Sequence, residues 1–199
     1  MNATKYSLEE QIISQIARCF SSDDAMATNA TTMCGLAGIA LAQRLYAPGI
    51  VIQREANGRS AHLSNFHLPY EPGNVPEDSL EVYMENERIW ELVFGAKWNI
   101  IMQPVQIDQF GNANLSMVGD KTRPDRVFVG SRGFPDNTVY CERVYYFIPE
   151  HTKRVFVNQV DFISGVGHGP LRKEIKIESG APHLIFSNLG VFDFEESTG

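Results

Sequence analysis

The N-terminal quarter of the chain shows two helical patterns and one short apolar run. Residues 7–10, Ser-Leu-Glu-Glu, have the form of a capping box, in which a serine hydroxyl accepts from a free helix amide and a glutamate reaches back. Apolar residues then recur at helical spacing, which predicts an amphipathic helix over residues 8–20. A Gly- and Ala-rich segment from Thr31 to Leu45 predicts a second helix that packs closely against a sheet and ends before Pro48. Ile50–Ile52 is fully apolar, as expected of a buried strand.

The rest of the chain shows one irregular stretch, one helix and a series of short apolar runs. Residues 56–80 are polar and rich in Pro, Gly and Asn, so we expect a long loop, and long loops in compact domains are often binding loops. A helix is predicted from about Val82 to Phe94. The runs that follow predict short strands at Asn99–Met102, Val127–Val129, Val144–Ile148, Val155–Val157, Leu184–Phe186 and Val191–Phe194.

Helix–strand alternation followed by short apolar strands predicts the fold class. The pattern is typical of an α/β protein with an open, largely parallel sheet that is covered by helices. A chain of 199 residues with 43% hydrophobic and 21% charged residues can bury a core of its own without disulfides or a structural metal. We therefore predict one domain over residues 1–199, and the composition excludes global disorder.

Charge and cysteine content narrow the functional classes. The net charge of −7 and the pI near 5.2 argue against a nucleic-acid partner or an acidic membrane surface, which would require a basic face. Three cysteines without a Cys-x-x-Cys pair, and five histidines without ligand spacing, predict neither a disulfide framework nor a metal site. The N-terminus lacks the pattern of a signal peptide, and no apolar run approaches the roughly 20 residues that span a bilayer. We expect a cytoplasmic protein without membrane spans.

The densest cluster of Gly and Asn lies between Asp108 and Asn137. Residues 108–114 read Asp-Gln-Phe-Gly-Asn-Ala-Asn, and residues 128–137 read Phe-Val-Gly-Ser-Arg-Gly-Phe-Pro-Asp-Asn. Gly and Asn supply positions where the backbone takes a positive φ or approaches another group closely. The second block has the form of a strand that enters a Gly-bracketed turn, whose successive N–H groups could converge on an anion or oxyanion. An ordinary strand-to-loop turn explains the same pattern.

Four separated segments together resemble a known family. Residues 108–114 have the form Asp-x-x-Gly-Asn-x-Asn, and residues 47–50, Ala-Pro-Gly-Ile, match an Ala-Pro-Asn/Asp-Leu stretch. Residues 153–167, KRVFVNQVDFISGVG, and residues 187–194, SNLGVFDF, match two further segments. In chain order, from residues 47–50 to residues 187–194, they resemble the β subunit of class I, glutaconate-type CoA transferases, over nearly the whole chain. The resemblance implies the open α/β fold of that family, which is CoA-transferase-like (NagB/RpiA-like).

The resemblance also implies covalent chemistry, although this sequence departs from the pattern. In such transferases a β-subunit glutamate attacks the acyl-CoA carbonyl, and a mixed anhydride and then a glutamyl-CoA thioester form. Glu55 stands at the corresponding distance from Ala47 and is the candidate nucleophile. The glycine that should follow it comes one position late, and Arg54 replaces an aromatic or small residue. A solvated loop carboxylate is therefore the alternative interpretation of Glu55.

The Gly-bracketed turn departs from the transferases as well. They usually carry Gly-Ser-Gly-Gly where residues 130–133 read Gly-Ser-Arg-Gly. The Arg-Gly variant resembles a divergent branch, the β subunit of the ring-opening hydrolase of actinobacterial steroid catabolism, in which a carboxylate of the α subunit acts instead. A third branch of the same fold decarboxylates 3-methylglutaconyl-CoA, and nothing in the sequence selects it.

Together these segments define candidate contacts with an acyl-CoA thioester. Arg132 either fixes a substrate carboxylate or the CoA phosphates through its bidentate fork, or is a turn residue that pairs with Asp136 or solvent. No cofactor is expected apart from coenzyme A as part of the substrate. The predicted substrate- and CoA-binding residues are Asn112, Asn114, Gly130, Ser131, Arg132, Gly133 and Asn137.

The resemblance finally predicts a partner chain. We expect the β subunit of a heteromeric enzyme, a heterodimer or α2β2, that hydrolyses or otherwise transforms a cyclic or branched acyl-CoA. One alternative is a true CoA transferase with Glu55 as nucleophile, and another is a non-catalytic scaffold subunit that completes the α subunit's site. Because the family's β chains usually continue past the segment at residues 187–194, we expect a naturally short version or a truncated polypeptide.

Overall fold

The structure is a computed structural model that describes residues 6–29, 32–56, 59–63, 80–95, 98–178 and 180–195. The chain divides into two units, Met1–Trp98 and Asn99–Gly199, which are described separately. Helices and strands alternate in both units, so the predicted α/β class is confirmed. The prediction of one domain over the whole chain stays a prediction.

Two helices of the first unit pack against each other. Helix α1 (Leu8–Ala17) begins at the predicted capping box, in which Ser7 Oγ accepts from the Glu10 N–H and Glu10 Oε2 accepts from the Ser7 N–H. Helix α2 (Met33–Leu45) begins after Thr32, whose hydroxyl accepts from an amide of the first turn. A Cβ on Gly38 would lie 2.4 Å from Ile16 Cγ2. The small residues of α2 thus allow the close helix contact.

The strands of the first unit lie in the order in which they occur in the chain. They are β1 (Met26–Asn29), β2 (Val51–Ala56), β3 (Arg59–Leu63) and β4 (Leu80–Met84), and helix α3 (Asn86–Gly95) follows them. Strands β1 and β2 are parallel, whereas β2, β3 and β4 pair in an antiparallel manner. The parallel pair confirms the predicted buried strand after Pro48.

The sequence prediction is wrong for residues 59–63 and for the start of α3. Residues 59–63 form a strand inside the stretch expected to be irregular, and residues 64–79 lie outside the described part of the chain. The helix expected from Val82 begins only at Asn86. Residues 80–84 instead form strand β4, which pairs with β3.

The second unit has a mainly parallel sheet with the order β5-β10-β11-β12. Its strands are β5 (Trp98–Met102, which begins at the unit boundary), β10 (Arg143–Ile148), β11 (Pro182–Ser187) and β12 (Gly190–Phe192). Strand β10 runs parallel to both β5 and β11, and only β12 is antiparallel. Strand β5 is wholly buried, and so is β10 after its first residue, as expected of parallel strands covered on both faces.

Short elements complete the second unit. Two small antiparallel sheets are formed by β6 (Gln106–Ile107) with β7 (Ala113–Asn114), and by β8 (Met117–Asp120) with β9 (Arg123–Val127). The helices are α4 (Phe134–Tyr140) and α5 (Pro170–Glu174). Among the helices described in either unit, none is both long and apolar enough to cross a membrane.

Two strand predictions in the second unit are wrong. Strand β9 ends at Val127, and the exposed Val129 belongs to the turn that follows it. Residues 155–157 form no strand, since Phe156 makes only an isolated bridge to Ile107. Phe128 and Val129 thus lie beyond the ladder of β8 and β9, and Phe156 contacts Ile107 without forming a ladder.

Candidate functional site

The first candidate segment, residues 108–114, is a tight turn that is held by its own aspartate. Asp108 is buried, and its Oδ1 accepts from the N–H groups of Phe110 and Asn112 at 3.1 and 3.0 Å. Its Oδ2 accepts from Asn112 Nδ2 at 3.0 Å. Burial raises the pKa of the Asp108 carboxyl, and these hydrogen bonds oppose the rise. The turn reverses at Gly111, which has a φ of 75°.

Asn112 and a close backbone contact join this turn to the segment that ends at Gly167. Asn112 Oδ1 accepts from the Gly167 N–H at 2.8 Å, and the Phe110 carbonyl accepts from the His168 N–H at 2.7 Å. A Cβ on Gly167 would lie 2.1 Å from the Phe110 carbonyl oxygen. The two segments therefore pack backbone against backbone, and only glycine fits at position 167.

Asn114 is fully buried and has a similar bonding role. Its Nδ2 donates to Gln106 Oε1 at 2.7 Å and to the Met117 carbonyl at 2.6 Å, while its Oδ1 accepts from the Ser116 N–H at 2.9 Å. The side-chain amides of Asn112 and Asn114 thus hold neighbouring backbone in place. Their predicted contact with a ligand stays a prediction.

The Gly-Ser-Arg-Gly turn at residues 130–133 has two residues in the left-handed region. Gly130 has a φ of 84° with open space around its Cα, and Arg132 has a φ of 50°. The Arg132 side chain is exposed and makes no hydrogen bond or ion pair with any residue in the described ranges. The sequence allowed an ion pair between Arg132 and Asp136 as one alternative, and the described residues do not form it. The guanidinium faces solvent.

The amides at the end of this turn are partly used within the chain. The Phe134 N–H donates to the Ser131 carbonyl, and the Asn137 N–H donates to the Gly133 carbonyl, each at 2.9 Å. Gly133 directly precedes α4 and has no left-handed φ. The turn thus leads into a short helix, and the convergence of its N–H groups on an anion stays a prediction.

Three serine hydroxyls connect the turn at residues 130–133 to the segments around residues 115 and 164. Ser116 Oγ lies 2.9 Å from Ser131 Oγ and 2.8 Å from Ser164 Oγ. Ser164 Oγ also accepts from the Leu115 N–H at 2.8 Å. We call Ser131, Ser116 and Ser164 the serine chain. It places three sequence segments, around residues 115, 131 and 164, at one site.

Asn137 faces the interior from α4. Its side-chain amide donates to Met102 Sδ at 3.5 Å, and its Oδ1 accepts from the Cys141 thiol at 3.7 Å. It is 8% exposed. The predicted role of Asn137 in binding substrate stays a prediction, and in the structure its amide packs α4 against β5.

The structure adds a buried arginine that the sequence did not single out. Arg172 of α5 donates to the carbonyl oxygens of Gly167, Val166 and Thr138 at 2.7, 3.0 and 2.5 Å. Burial lowers the pKa of this guanidinium. In the sequence Arg172 lies in a Leu-Arg-Lys-Glu run that is typical of an exposed helix, so no signal marked it. It fixes the backbone that carries Gly167.

Glu55, the candidate nucleophile, is the fifth residue of β2, and its backbone pairs with Ser60 of β3. Its side chain lies outside the described part of the structure. The nucleophilic role of Glu55 therefore stays a prediction.

We expect Cys141 to resist alkylation as long as the chain is folded. Burial raises the pKa of this thiol to about 12, so the reactive thiolate is scarce at pH 8. Iodoacetamide labelling followed by mass spectrometry should modify the half-buried Cys19 first and Cys141 only after unfolding in urea. Early labelling of Cys141 at pH 8 would contradict the burial of this thiol.

The raised pKa of Cys141 also makes stability depend on pH. Because the unfolded thiol ionises near pH 8.5 (about the ordinary value), the free energy of unfolding should fall as the pH rises beyond that value.

Several known proteins are similar to this chain in sequence. None of the protein-family models matches the chain. The cholesterol ring-cleaving hydrolase IpdB subunit of Mycobacterium tuberculosis is 32% identical over 164 residues, which are 79% of this chain and 61% of that protein. A glutaconate CoA-transferase subunit of Acidaminococcus fermentans is 32% identical over 97 residues, 47% of this chain and 36% of that protein. The chain thus spans less than two thirds of the length of these relatives.

A solved structure extends the similarity to the fold. The crystal structure of IpdAB from Rhodococcus jostii RHA1 superimposes with a TM-score of 0.80 and 30% sequence identity. The superposition covers 96% of this chain and 74% of the chain in that structure. The similarity therefore extends over both units described above.

Proposed function

We infer the function of this chain from its family, because it belongs to the CoA-transferase family and is of the β-subunit type. We propose that it is one of two different subunits of an enzyme that acts on an acyl-CoA thioester, with coenzyme A present only as part of the substrate. The partner is an α-type chain of the same family, in a heterodimer or an α2β2 assembly. We propose a cytoplasmic location with it, since three cysteines without a Cys-x-x-Cys pair fit a reducing compartment.

The proposed reaction is the hydrolytic opening of a ring in a cyclic acyl-CoA. The observation that carries it is the similarity to the IpdB subunit over 79% of the chain, because the name of that relative describes a cholesterol ring-cleaving hydrolase. Hydrolysis of a ring bond adds water and leaves a new carboxylate on a product that still carries the thioester. The proposed substrate class is therefore a ring-bearing acyl-CoA of steroid origin.

The turn at residues 130–133 suits a substrate of this kind. Arg132 is exposed and unpaired among the described residues, and a guanidinium binds a carboxylate or phosphate through two parallel hydrogen bonds. The left-handed backbone at this position disfavours any L-residue. Residues held in such conformations cluster at functional sites. We propose that Arg132 contacts the substrate carboxylate or the CoA phosphates.

The reaction can be tested with the assembled enzyme. The chain should be co-expressed with an α-type chain of the same family, and the purified complex should be supplied with a ring-bearing steroid acyl-CoA. We expect mass spectrometry to show the addition of one water with the thioester intact, and we expect the chain alone to be inactive. An unchanged substrate in the presence of the complex would overturn the proposed reaction. Full activity of the isolated chain would overturn the proposed partner.

A true CoA transferase is the second candidate, because the glutaconate CoA-transferase of Acidaminococcus fermentans also has a subunit similar to this chain. Such an enzyme forms a glutamyl-CoA thioester on Glu55. Borohydride reduces that thioester, so a peptide with a reduced Glu55 after incubation with acyl-CoA would support the transferase. An unmodified Glu55 in a complex that turns over substrate would exclude it.

Replacing Arg132 with glycine should stabilise the fold and impair substrate use. Glycine relieves the left-handed strain, so we expect the free energy of unfolding to rise by about 1 kcal/mol. Loss of a charge-assisted contact should raise the KM for the acyl-CoA about tenfold. Urea unfolding and steady-state kinetics measure the two effects.

The matched control is Arg123→Ala, which removes another exposed positive charge of the same unit. It should leave KM unchanged. An equal rise in KM in both variants would mean that Arg132 acts only through net charge. Unchanged turnover in the Arg132 variant and in Glu55→Gln would favour a scaffold subunit.

A further inference from the structure

We propose that the serine chain is a one-way series of hydroxyl donors that leaves the Ser131 proton directed outward, toward an acceptor oxygen of a bound ligand. Identifying that ligand as an acyl-CoA rests on the proposed function. The direction of the donors rests on the structure alone. Ser116 and Ser164 are then positioning residues that act through Ser131.

The contacts of the three hydroxyls are few and well defined. Ser116 Oγ lies between the other two, 2.9 Å from Ser131 Oγ and 2.8 Å from Ser164 Oγ. The only further partner that any of these oxygens has within the described residues is the Leu115 N–H, which donates to Ser164 Oγ at 2.8 Å. Two O–H···O contacts and one N–H donor therefore define the chain.

The burial of Ser164 determines which hydroxyl is the donor in its contact with Ser116. Ser164 is 1% exposed, so its hydroxyl proton has to be accepted within the protein, and Ser116 Oγ is the acceptor that the described residues supply. If Ser116 donated to Ser164 instead, the Ser164 proton would be buried without an acceptor, which is strongly unfavourable. Ser164 therefore donates to Ser116.

The same argument fixes the second contact. Ser116 is 7% exposed, and its oxygen already accepts from Ser164, so its own proton needs another acceptor. Ser131 Oγ is the remaining neighbour, at 2.9 Å. Ser116 therefore donates to Ser131. The order is Leu115 N–H to Ser164, Ser164 to Ser116, and Ser116 to Ser131.

Ser131 is left as a donor without an acceptor among the described residues. It is half-exposed, so its proton can reach solvent or a ligand without the penalty of burial. Each accepted hydrogen bond polarises the next hydroxyl in such a chain, which strengthens the terminal donor. A donor placed beside the exposed Arg132 suits an oxygen that carries negative charge, either a thioester carbonyl in an enolate-like state or a phosphate.

The direction can be read from proton positions. Neutron diffraction from the perdeuterated protein should place the Ser164 deuteron on the line to Ser116 Oγ and the Ser116 deuteron on the line to Ser131 Oγ. A Ser131 deuteron on the line to Ser116 Oγ would overturn the proposal. This measurement requires no ligand and does not depend on the proposed function.

A double-mutant cycle tests the effect on the ligand. In the complex with the α-type chain, Ser131→Ala should weaken the binding of acetyl-CoA about fivefold, and Ser116→Ala should weaken it by about the same factor. Because Ser116 acts through Ser131, the double variant should be no weaker than Ser131→Ala alone. Independent effects, about 25-fold together, would overturn the positioning role. The same measurements with coenzyme A separate the two kinds of contact. The effect of Ser131→Ala should persist if Ser131 contacts a phosphate, and should disappear if it contacts the thioester oxygen.

Two further variants keep the outcome clear. Ser131→Thr retains the hydroxyl and should retain affinity. Ser187→Ala removes an equally buried serine hydroxyl that contacts His151 Nδ1 and the Leu189 N–H, and should leave affinity unchanged. A loss of affinity in Ser187→Ala would mean that the serine-chain variants act through general destabilisation of the fold, and it would overturn the proposal. If the wild-type complex binds no CoA thioester, the proposed function fails, and the neutron result alone decides the donor direction.

Discussion

Gly167→Ala will destabilise the chain by at least about 3 kcal/mol or prevent folding. An added Cβ would lie 2.1 Å from the Phe110 carbonyl oxygen and 2.4 Å from both the Asn112 nitrogen and the Gly111 carbonyl carbon. All three are backbone atoms of a turn that Asp108 already holds with three hydrogen bonds, so none can move by a simple side-chain rotation. Urea unfolding measures the change in the free energy of unfolding.

Two other glycines serve as controls for Gly167→Ala. Gly49 has open space around its Cα, so Gly49→Ala should have little effect. Gly130 also has open space but a φ of 84°, and Gly130→Ala should therefore be destabilised by about 1 kcal/mol from backbone conformation alone. A Gly167→Ala variant that is no less stable than Gly130→Ala would contradict the close backbone contact.

Arg172→Met should lower the free energy of unfolding by about 3 kcal/mol. Methionine fills much of the same volume but leaves the carbonyl oxygens of Thr138, Val166 and Gly167 without their buried donor. Arg172→Lys should recover only part of the loss, because one ammonium cannot reproduce the planar fork that spans three carbonyls. Chemical unfolding of the three proteins provides the comparison.

Lys173→Met is the matched control for Arg172. Lys173 is the next residue of α5, carries the same charge and is exposed. Its replacement should change stability by less than about 0.5 kcal/mol. Equal effects at the two positions would mean that Arg172 stabilises the unit through charge rather than through its buried hydrogen bonds.

The parts of the fold that could be predicted are those determined by local sequence. The capping box at Ser7 and Glu10 is such a case, because both hydrogen bonds join residues three apart. The buried strands β5, β10 and β11 were visible as apolar runs, since a parallel strand is covered on both faces. Strands β6 and β7, with two residues each, are too short to show any period.

The site depends on contacts that sequence patterns cannot show. The serine chain joins residues that are 15 and 48 positions apart, and a serine in a loop has no periodicity that would mark it. Arg172 is hydrophilic and lies beside Lys173 and Glu174, so its pattern indicated an exposed residue. The family resemblance marked residues 108–114 and 130–133, but only the structure shows that the side-chain amides of Asn112 and Asn114 form hydrogen bonds within the chain.

The link between Asn112 and Gly167 has a consequence for the order of folding. The turn at residues 108–114 closes over a few residues, whereas the Asn112–Gly167 hydrogen bond closes a loop of 55 residues. Long loops lose more entropy when they close, so such contacts tend to form after the local ones. We expect the serine chain, whose Ser116–Ser164 contact closes a loop of 48 residues, to be complete only in the last stage of folding. Variants that weaken it should accelerate unfolding more than they slow refolding.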